Sequence, residues 1–329
     1  MTLMSLKAVG PVELIQIINP QGIYVSDDML YVPEGTTIYM YNLKNYEYIG
    51  KFGKDGEGPG EIRKNPVGAP IMLVLHHGEI YITSMDKLSV FSKLGEFIRE
   101  HKFSTSDTFY PFAEQFVCRG AHKTLDGKFV LAIFMADKNF NRGQLLYASD
   151  VEVGQNSRLE LPHMPFYPIY TDDQLFVISE SGKDGFAIDV FDQTGKKQYR
   201  TERKEPSISV PASYRVETEK ALKKQHPLFS AMWTSIKEML TFKSTYPPIK
   251  EYFVDDGWIY VLTYKMKGDD RECIVFDIKG KEIKRMNLPV PEKFGLEFNR
   301  LYTIKNTIFY QLKENEENES WKLRTISLK

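Results

Sequence analysis

Cysteine is nearly absent. The 329-residue chain has two, Cys118 and Cys273, with no C-x-x-C pair and no zinc-ligand spacing. A disulfide framework is excluded. Two buried thiols are the expected state, and sequence leaves open whether they pair. No run approaches the roughly 18 apolar residues of a membrane-spanning helix, so no integral membrane segment is expected. The N-terminus lacks the basic start and long apolar core of a secretory signal; the chain either stays in the cytoplasm or follows a removed leader. Neither charge sign is in excess: Lys+Arg is 43 against Asp+Glu 44, a net charge of −1. Nucleic acid is not an expected partner, because general binders carry a basic surface. Histidine is sparse, six in all. His101, His122, His163 and His226 have no ligand spacing, and the adjacent His76 and His77 should point to opposite faces of a regular strand. No Gly-x-Ser-x-Gly elbow occurs. No catalytic residue, resident metal or cofactor is assigned.

Aromatics make up 13% of the chain and hydrophobic residues 42%, which favours β structure with a sizeable core. Residues 22–62 show four short runs rich in β-branched and aromatic residues, separated by turn residues. That is the layout of a four-stranded antiparallel sheet, and it recurs with a period of roughly 40 residues, as propeller blades do. The second unit opens near Ile71. The third is looser, with runs starting at Gln115, Gly127, Gln144 and Ser157. The fourth starts at Pro168 and the fifth at Ile249. The sixth starts at Glu297 and stops after three runs. The best internal match is the third run and its turn, ending in Gly95, Gly195 and Gly280, where a hairpin needs positive φ.

An all-β fold follows, a six-bladed β-propeller with four-stranded antiparallel blades in one domain over residues 1–329. Residues 12–19 form a spare strand-like run, and pairing it with the incomplete sixth blade removes an open sheet edge. Residues 207–248 break the pattern and predict a helical insertion between blades four and five. Between Pro227 and Pro247 the residues Leu228, Phe229, Met232, Trp233, Ile236, Met239 and Leu240 share one helical face. Before Pro227, the stretch from Tyr214 to His226 is charged and reads as a mostly solvated helix. Either the insertion packs on the propeller's flank or it covers one end of the ring as a lid.

Blade one ends in Phe52-Gly-Lys-Asp-Gly56-Glu-Gly58-Pro59-Gly60-Glu61-Ile62. With Glu61 where the last glycine of a dinucleotide loop belongs, and no Gly-Lys-Ser/Thr, this is no nucleotide cradle. It reads as a blade-to-blade turn in which Gly56, Gly58 and Gly60 supply unusual backbone angles and Glu61 satisfies backbone N–H groups. The loop and the repeat resemble bacterial six-bladed propellers of the NHL-like and TolB-like kind with a Gly-x-Gly-x-Gly-Pro-Gly-Glu loop. The resemblance spans nearly the whole chain and implies fold more than activity. Proteins of this kind are mostly exported or lipid-anchored.

The expected role is non-enzymatic binding or scaffolding by a monomer, with a polar small molecule, glycan, peptide or protein held at one mouth of the central channel. Arg63, Arg119, His122, Tyr170 and Arg300 are the candidate ligand contacts, with Asp172 and Asp173 as internal partners for the arginines. The alternative is a divalent-cation-dependent hydrolase or lyase of the propeller lactonase type, holding calcium with turn residues such as Asp27, Asp173, Asp255 and Asn299. Asp and Asn are also common turn formers. Asn318 begins a glycosylation-type triplet, and residues 314–319 read as an acidic hairpin tip.

Overall fold

The computed structural model describes residues 8–26, 28–65, 69–103, 107–154, 158–163, 166–171, 173–181, 185–296, 299–315, 317 and 319–329. The fold is an all-β six-bladed propeller built from four-stranded antiparallel sheets, with one helical insertion. The chain divides into two compact units. Unit 1 comprises residues 1–106 and 297–329, and unit 2 residues 107–296.

Unit 1 holds three blades. Blade 1 is Tyr24–Val25, Met29–Glu34, Thr37–Asn42 and Tyr48–Phe52. Blade 2 is Met72–His76, Glu79–Ser84, Lys87–Ser92 and Phe97–Lys102. Blade 6 takes Tyr302–Lys305, Ile308–Asn315 and Ser320–Ser327 from the C-terminal end, and its fourth strand, Ala8–Glu13, from the N-terminal end. The closing strand therefore lies earlier than residues 12–19. Beyond Glu13 the chain leaves the sheet, and Leu14 and Ile17 turn into the core with Trp321 and Leu323. A run rich in isoleucine resembles a strand, but here tertiary packing takes its apolar residues instead.

Blade 1 shows why apolar residues occupy both faces of these strands. Successive side chains alternate sides. Leu30 and Val32 pack with Tyr310 and Leu312 of blade 6, while Met29 and Tyr31 pack with Leu73, Ile80 and Ile82 of blade 2.

Unit 2 holds blades 3, 4 and 5. Blade 3 is Thr108–Phe112, Gln115–Lys123, Phe129–Ala136 and Arg142–Glu152. The sequence reading set this blade one strand late. The short run around Pro111 is a first strand, where one ladder donor can be spared. Blade 4 is Ile169–Tyr170, Gln174–Glu180, Gly185–Asp192 and Lys197–Lys204. Blade 5 is Glu251–Asp255, Trp258–Lys267, Asp270–Asp277 and Glu282–Leu288. Cys118 and Cys273 are separate, buried thiols, and burial pushes Cys118 up to about 12.

The repeated hairpin glycines have φ of 82° at Gly95, 81° at Gly195 and 78° at Gly280. Space matters as well as angle. A Cβ would sit 2.5 Å from the Phe52 ring at Gly95 and 2.8 Å from Met135 at Gly195, and would overlap Thr201 at Gly280. Each hairpin thus presses on the preceding blade of its own unit, which explains why the repeat retains glycine there.

The insertion carries α1 (Ala212–Gln225), α2 (Pro227–Ala231) and α3 (Trp233–Met239). Helix α1 buries only Tyr214, Thr218 and Leu222, one face at helical spacing. The helix expected up to Pro247 ends at Met239. Leu240–Phe242 instead forms a parallel strand with Leu159–Leu161, the run that sequence had placed in blade 3. The apolar stripe is not buried either: α2 and α3 contain no buried residue, and Met232 is 51% exposed. Trp233 packs half-buried against the cluster of Leu161, Tyr214, Leu222 and Tyr246. Trp233→Ala is therefore expected to cost about 1–2 kcal/mol in denaturant melting, below the 3–5 typical of a fully buried aromatic. A loss at the full-burial value would show that the side chain is packed more tightly than this.

Candidate functional site

The glycine loop in unit 1 is tied by its own side chains. Gly58 N–H donates to Glu61 Oε2 at 2.9 Å, and Lys54 Nζ donates to Glu61 Oε1 at 2.7 Å. Gly60 N–H donates to Glu100 Oε2 at 3.2 Å. Buried Lys87 donates to the Gly58 carbonyl at 2.9 Å and lies 3.2 Å from Glu100. The loop closes as Ile62 N–H donates to the Lys54 carbonyl at 2.7 Å. A Cβ at Gly56 would overlap the Glu61 carboxylate. The Lys54 ammonium, then the Gly58 amide, hold Glu61 below the usual carboxylate range. Protein carboxylates fill the places where an anion would meet the amides of Gly58 and Gly60. Pro59 lies between those two tied glycines.

Of the five candidate contacts, Arg63 and Arg300 lie in unit 1. Arg63 is exposed and pairs with Glu57 at 3.2 Å. Arg300 precedes the first strand of blade 6, where its carbonyl accepts from Ile23 N–H at 3.1 Å beside the bridge to Gly22.

Arg119, His122 and Tyr170 lie in unit 2. Arg119 is in the second strand of blade 3, and its Nη1 donates to the Phe166 carbonyl at 3.0 Å. His122, an odd number of residues along the same regular strand, faces the other side, with its ring 5.7 Å from Phe134. The strand thus separates Arg119 from His122. The Arg142 guanidinium lies 4.9 Å from the same Phe134 ring and clasps buried Asp107 through Nε at 2.7 Å and through Nη2.

Arg119 instead anchors a segment rich in aromatics. Phe166 lies 5.7 Å from Tyr147, Tyr167 stacks on Tyr252 at 5.4 Å, and Tyr170 lies 6.2 Å from Phe112. Tyr252 OH donates to the Tyr167 carbonyl at 2.6 Å, and Tyr167 OH donates to Glu251 Oε1 at 3.3 Å. Phe166, Tyr167, Tyr170 and Arg119 are all half-buried. Phe166 and Tyr170 rest against blade 3 and Tyr167 against blade 5. Sequence reasoning singled out Tyr170 but missed Phe166 and Tyr167, whose only signal was their density beside prolines.

His76 and His77 do not diverge. His77 leaves the strand with φ of 47°, and the rings stack at 3.9 Å. Among the described residues no group of three or more His, Cys, Asp or Glu could hold a metal ion. Of the calcium candidates, Asp173 accepts from Thr171 Oγ1 at 3.0 Å in a turn, Asp255 ends a first strand, and Asn299 precedes blade 6. Asp27, Asp172, Glu316 and Asn318 lie outside the described residues.

The class defined by this geometry is the six-bladed β-propeller. No protein-family description matches the chain, and no curated protein matches it. Solved structures do. One is a Bacteroides fragilis protein described provisionally as exported, with 12% identity, 98% of this chain and 95% of that chain covered, and a TM-score of 0.54. Another is the WD40 domain of Neurospora crassa Pan2, with 7% identity, 98% and 97% coverage, and a TM-score of 0.46. A third is the β-propeller domain of Myceliophteria thermophila Cps50 (Swd1), with 10% identity, 97% and 99% coverage, and a TM-score of 0.39. At these identities the likeness is one of fold.

Proposed function

We propose that the protein is a non-enzymatic binding or scaffolding propeller that holds a polar partner, a glycan or peptide, on the segment around Tyr170. The observation that carries this reading is the set of half-buried rings, Phe166, Tyr167 and Tyr170, locked in place beside Arg119. Accessible rings on a rigid backbone supply contact area at small entropic cost, and a nearby guanidinium adds directional donors. The proposed surface is confined to these residues of one unit, and His122 faces the other side of its strand. Affiliation with the NHL-like and TolB-like propellers belongs to the same proposal and is supported by the self-tied glycine loop.

Glycan and peptide arrays probed with the purified chain test the reading. Expected is retention of a defined ligand class that Tyr170→Ala and Phe166→Ala abolish, while each variant still melts cooperatively with a loss of only about 1–2 kcal/mol from these half-buried rings. No retained ligand, or equal retention by both variants, would overturn it. So would one bound calcium per chain together with lactone or ester turnover.

A further inference from the structure

The insertion ends in side chains that the protein itself does not cover. On α2 and α3, Leu228 is 39%, Met232 51% and Met239 45% exposed. Phe229, Trp233 and Ile236 are half-buried beside them. A short helix gains little from propensity alone and normally persists by burying an apolar face, yet neither helix has a buried residue.

Charge is segregated around this patch. Lys223 and Lys224 occupy the last turn of α1, directly before α2. Lys220, Lys224 and Lys293 line an open groove on the flank of α1, together with Glu217, Glu292 and Phe294. Over residues 212–243 the cations are Arg215, Lys220, Lys223, Lys224, Lys237 and Lys243, and the anions Glu217, Glu219 and Glu238. Six minus three leaves +3, in a chain whose net charge is −1. Not all of that charge is available, since Lys237 pairs with Glu219 at 3.1 Å and Lys243 with Glu160 at 3.2 Å. Lys223 and Lys224 remain, both exposed, against one exposed anion, Glu238 on α3.

We infer that this tip docks on an anionic bilayer surface. Aliphatic side chains standing out from short helices, half-buried aromatics behind them and lysines at their edge are the layout of an interfacial anchor. The apolar residues enter the boundary between headgroups and acyl chains, and the lysines stay among the phosphates. The attachment is peripheral: no helix among the described residues is long and apolar enough to cross a membrane. The exposed lysines that lead directly into α2 favour an anionic surface over a neutral one.

Co-sedimentation of the full chain with vesicles of equal parts phosphatidylglycerol and phosphatidylcholine, against phosphatidylcholine alone, tests the inference. Binding to the anionic vesicles is expected, with a blue shift of tryptophan emission from Trp233 and weakening by salt. Lys223→Glu with Lys224→Glu should lower the partition coefficient about thirtyfold or more, at a lysine contribution of about fivefold each near such a surface. Leu228→Glu with Met232→Glu should lower it about tenfold or more. All four positions are exposed, so melting of each variant should match the parent. A chain that stays in the supernatant with anionic vesicles would overturn the inference. Equal binding by the Leu228→Glu, Met232→Glu variant would also overturn it. So would self-association that this variant abolishes without any vesicle binding, since the patch would then be an interface between copies of this chain.

Discussion

Gly120→Ala is expected to lower the melting temperature by about 6–12 °C, although it adds one methyl group. Gly120 sits in the second strand of blade 3, and a Cβ there would overlap both the Asp107 carboxylate and the Arg142 guanidinium. Asp107 is 2% exposed, and Arg142 holds it through two donors while a third donates to the Ala121 carbonyl at 2.7 Å. The backbone of Gly120 is not in the left-handed region, so alanine's own preferences do not enter. The loss comes from prising apart a buried charge pair. Breaking such a pair costs about 3–5 kcal/mol, and the partial exposure of Arg142 puts the value at about 3 kcal/mol. Differential scanning calorimetry measures it. The control is the same substitution in a chain carrying Asp107→Ala and Arg142→Met, where the added methyl should cost far less. Equal losses in both backgrounds would show that the ion pair is not what Gly120 makes room for.

Deleting residues 1–20 is expected to prevent folding of unit 1 or drive the chain to aggregate. The deletion removes Ala8–Glu13, the fourth strand of blade 6, and leaves Ser320–Ser327 as an open edge. It also removes Leu14 and Ile17 from the core shared by blades 6 and 1. Two further ties go with them: Leu14 N–H donates to the Trp321 carbonyl at 2.8 Å, and Trp321 Nε1 donates to the Ile18 carbonyl at 2.9 Å. Burying a side chain such as Leu14 or Ile17 contributes about 1.5–3 kcal/mol, so the two together approach a large share of a domain's net stability. An exposed edge beside a vacated core also recruits other chains. A chain that begins at Ala8 keeps every one of these contacts and should fold, which makes it the control for the longer deletion. Monomeric, cooperatively melting protein from the longer deletion would show that the ring does not depend on this closure.

The blade plan was readable because strand, turn and glycine signals repeat. Gly95, Gly195 and Gly280 fall at matching places in matching hairpins, and each has the positive φ that its turn requires. Where the reading slipped, local signals competed with tertiary demand. Blade 3 was started at Gln115, but its first strand is the earlier, proline-containing run Thr108–Phe112, and residues 12–19 looked like a strand but send Leu14 and Ile17 into the core. The stripe in the insertion was read as one helical face, but the chain breaks at Met232 into two short helices, which leave Leu228, Met232 and Met239 exposed and Phe229, Trp233 and Ile236 half-buried. Periodicity does not say whether a face meets protein.

The candidate surface was less readable. Tyr170 could be named from its place at the start of a blade, but its neighbours Phe166 and Tyr167 gained meaning only when Arg119 was seen to hold the Phe166 carbonyl. His122 and Arg119 were both expected on the rim of the channel as residues suited to a polar ligand, but the two-residue period of the strand sends them to opposite faces.

Sequence by itself determined the fold class, the blade count, the closure of the last blade by an N-terminal strand and the presence of the insertion. All of these follow from short-range periodicity, which the backbone of each residue obeys locally. Only the tertiary structure decided that a side chain at Gly120 would meet an ion pair, that Asp107 and Arg142, 35 residues apart, form that pair around a buried carboxylate, and that Leu228 and Met232 face outward. Those facts depend on which side chains meet across strands and blades. Such meetings are set by register and by the packing of one sheet on the next, over distances along the chain that no local pattern encodes.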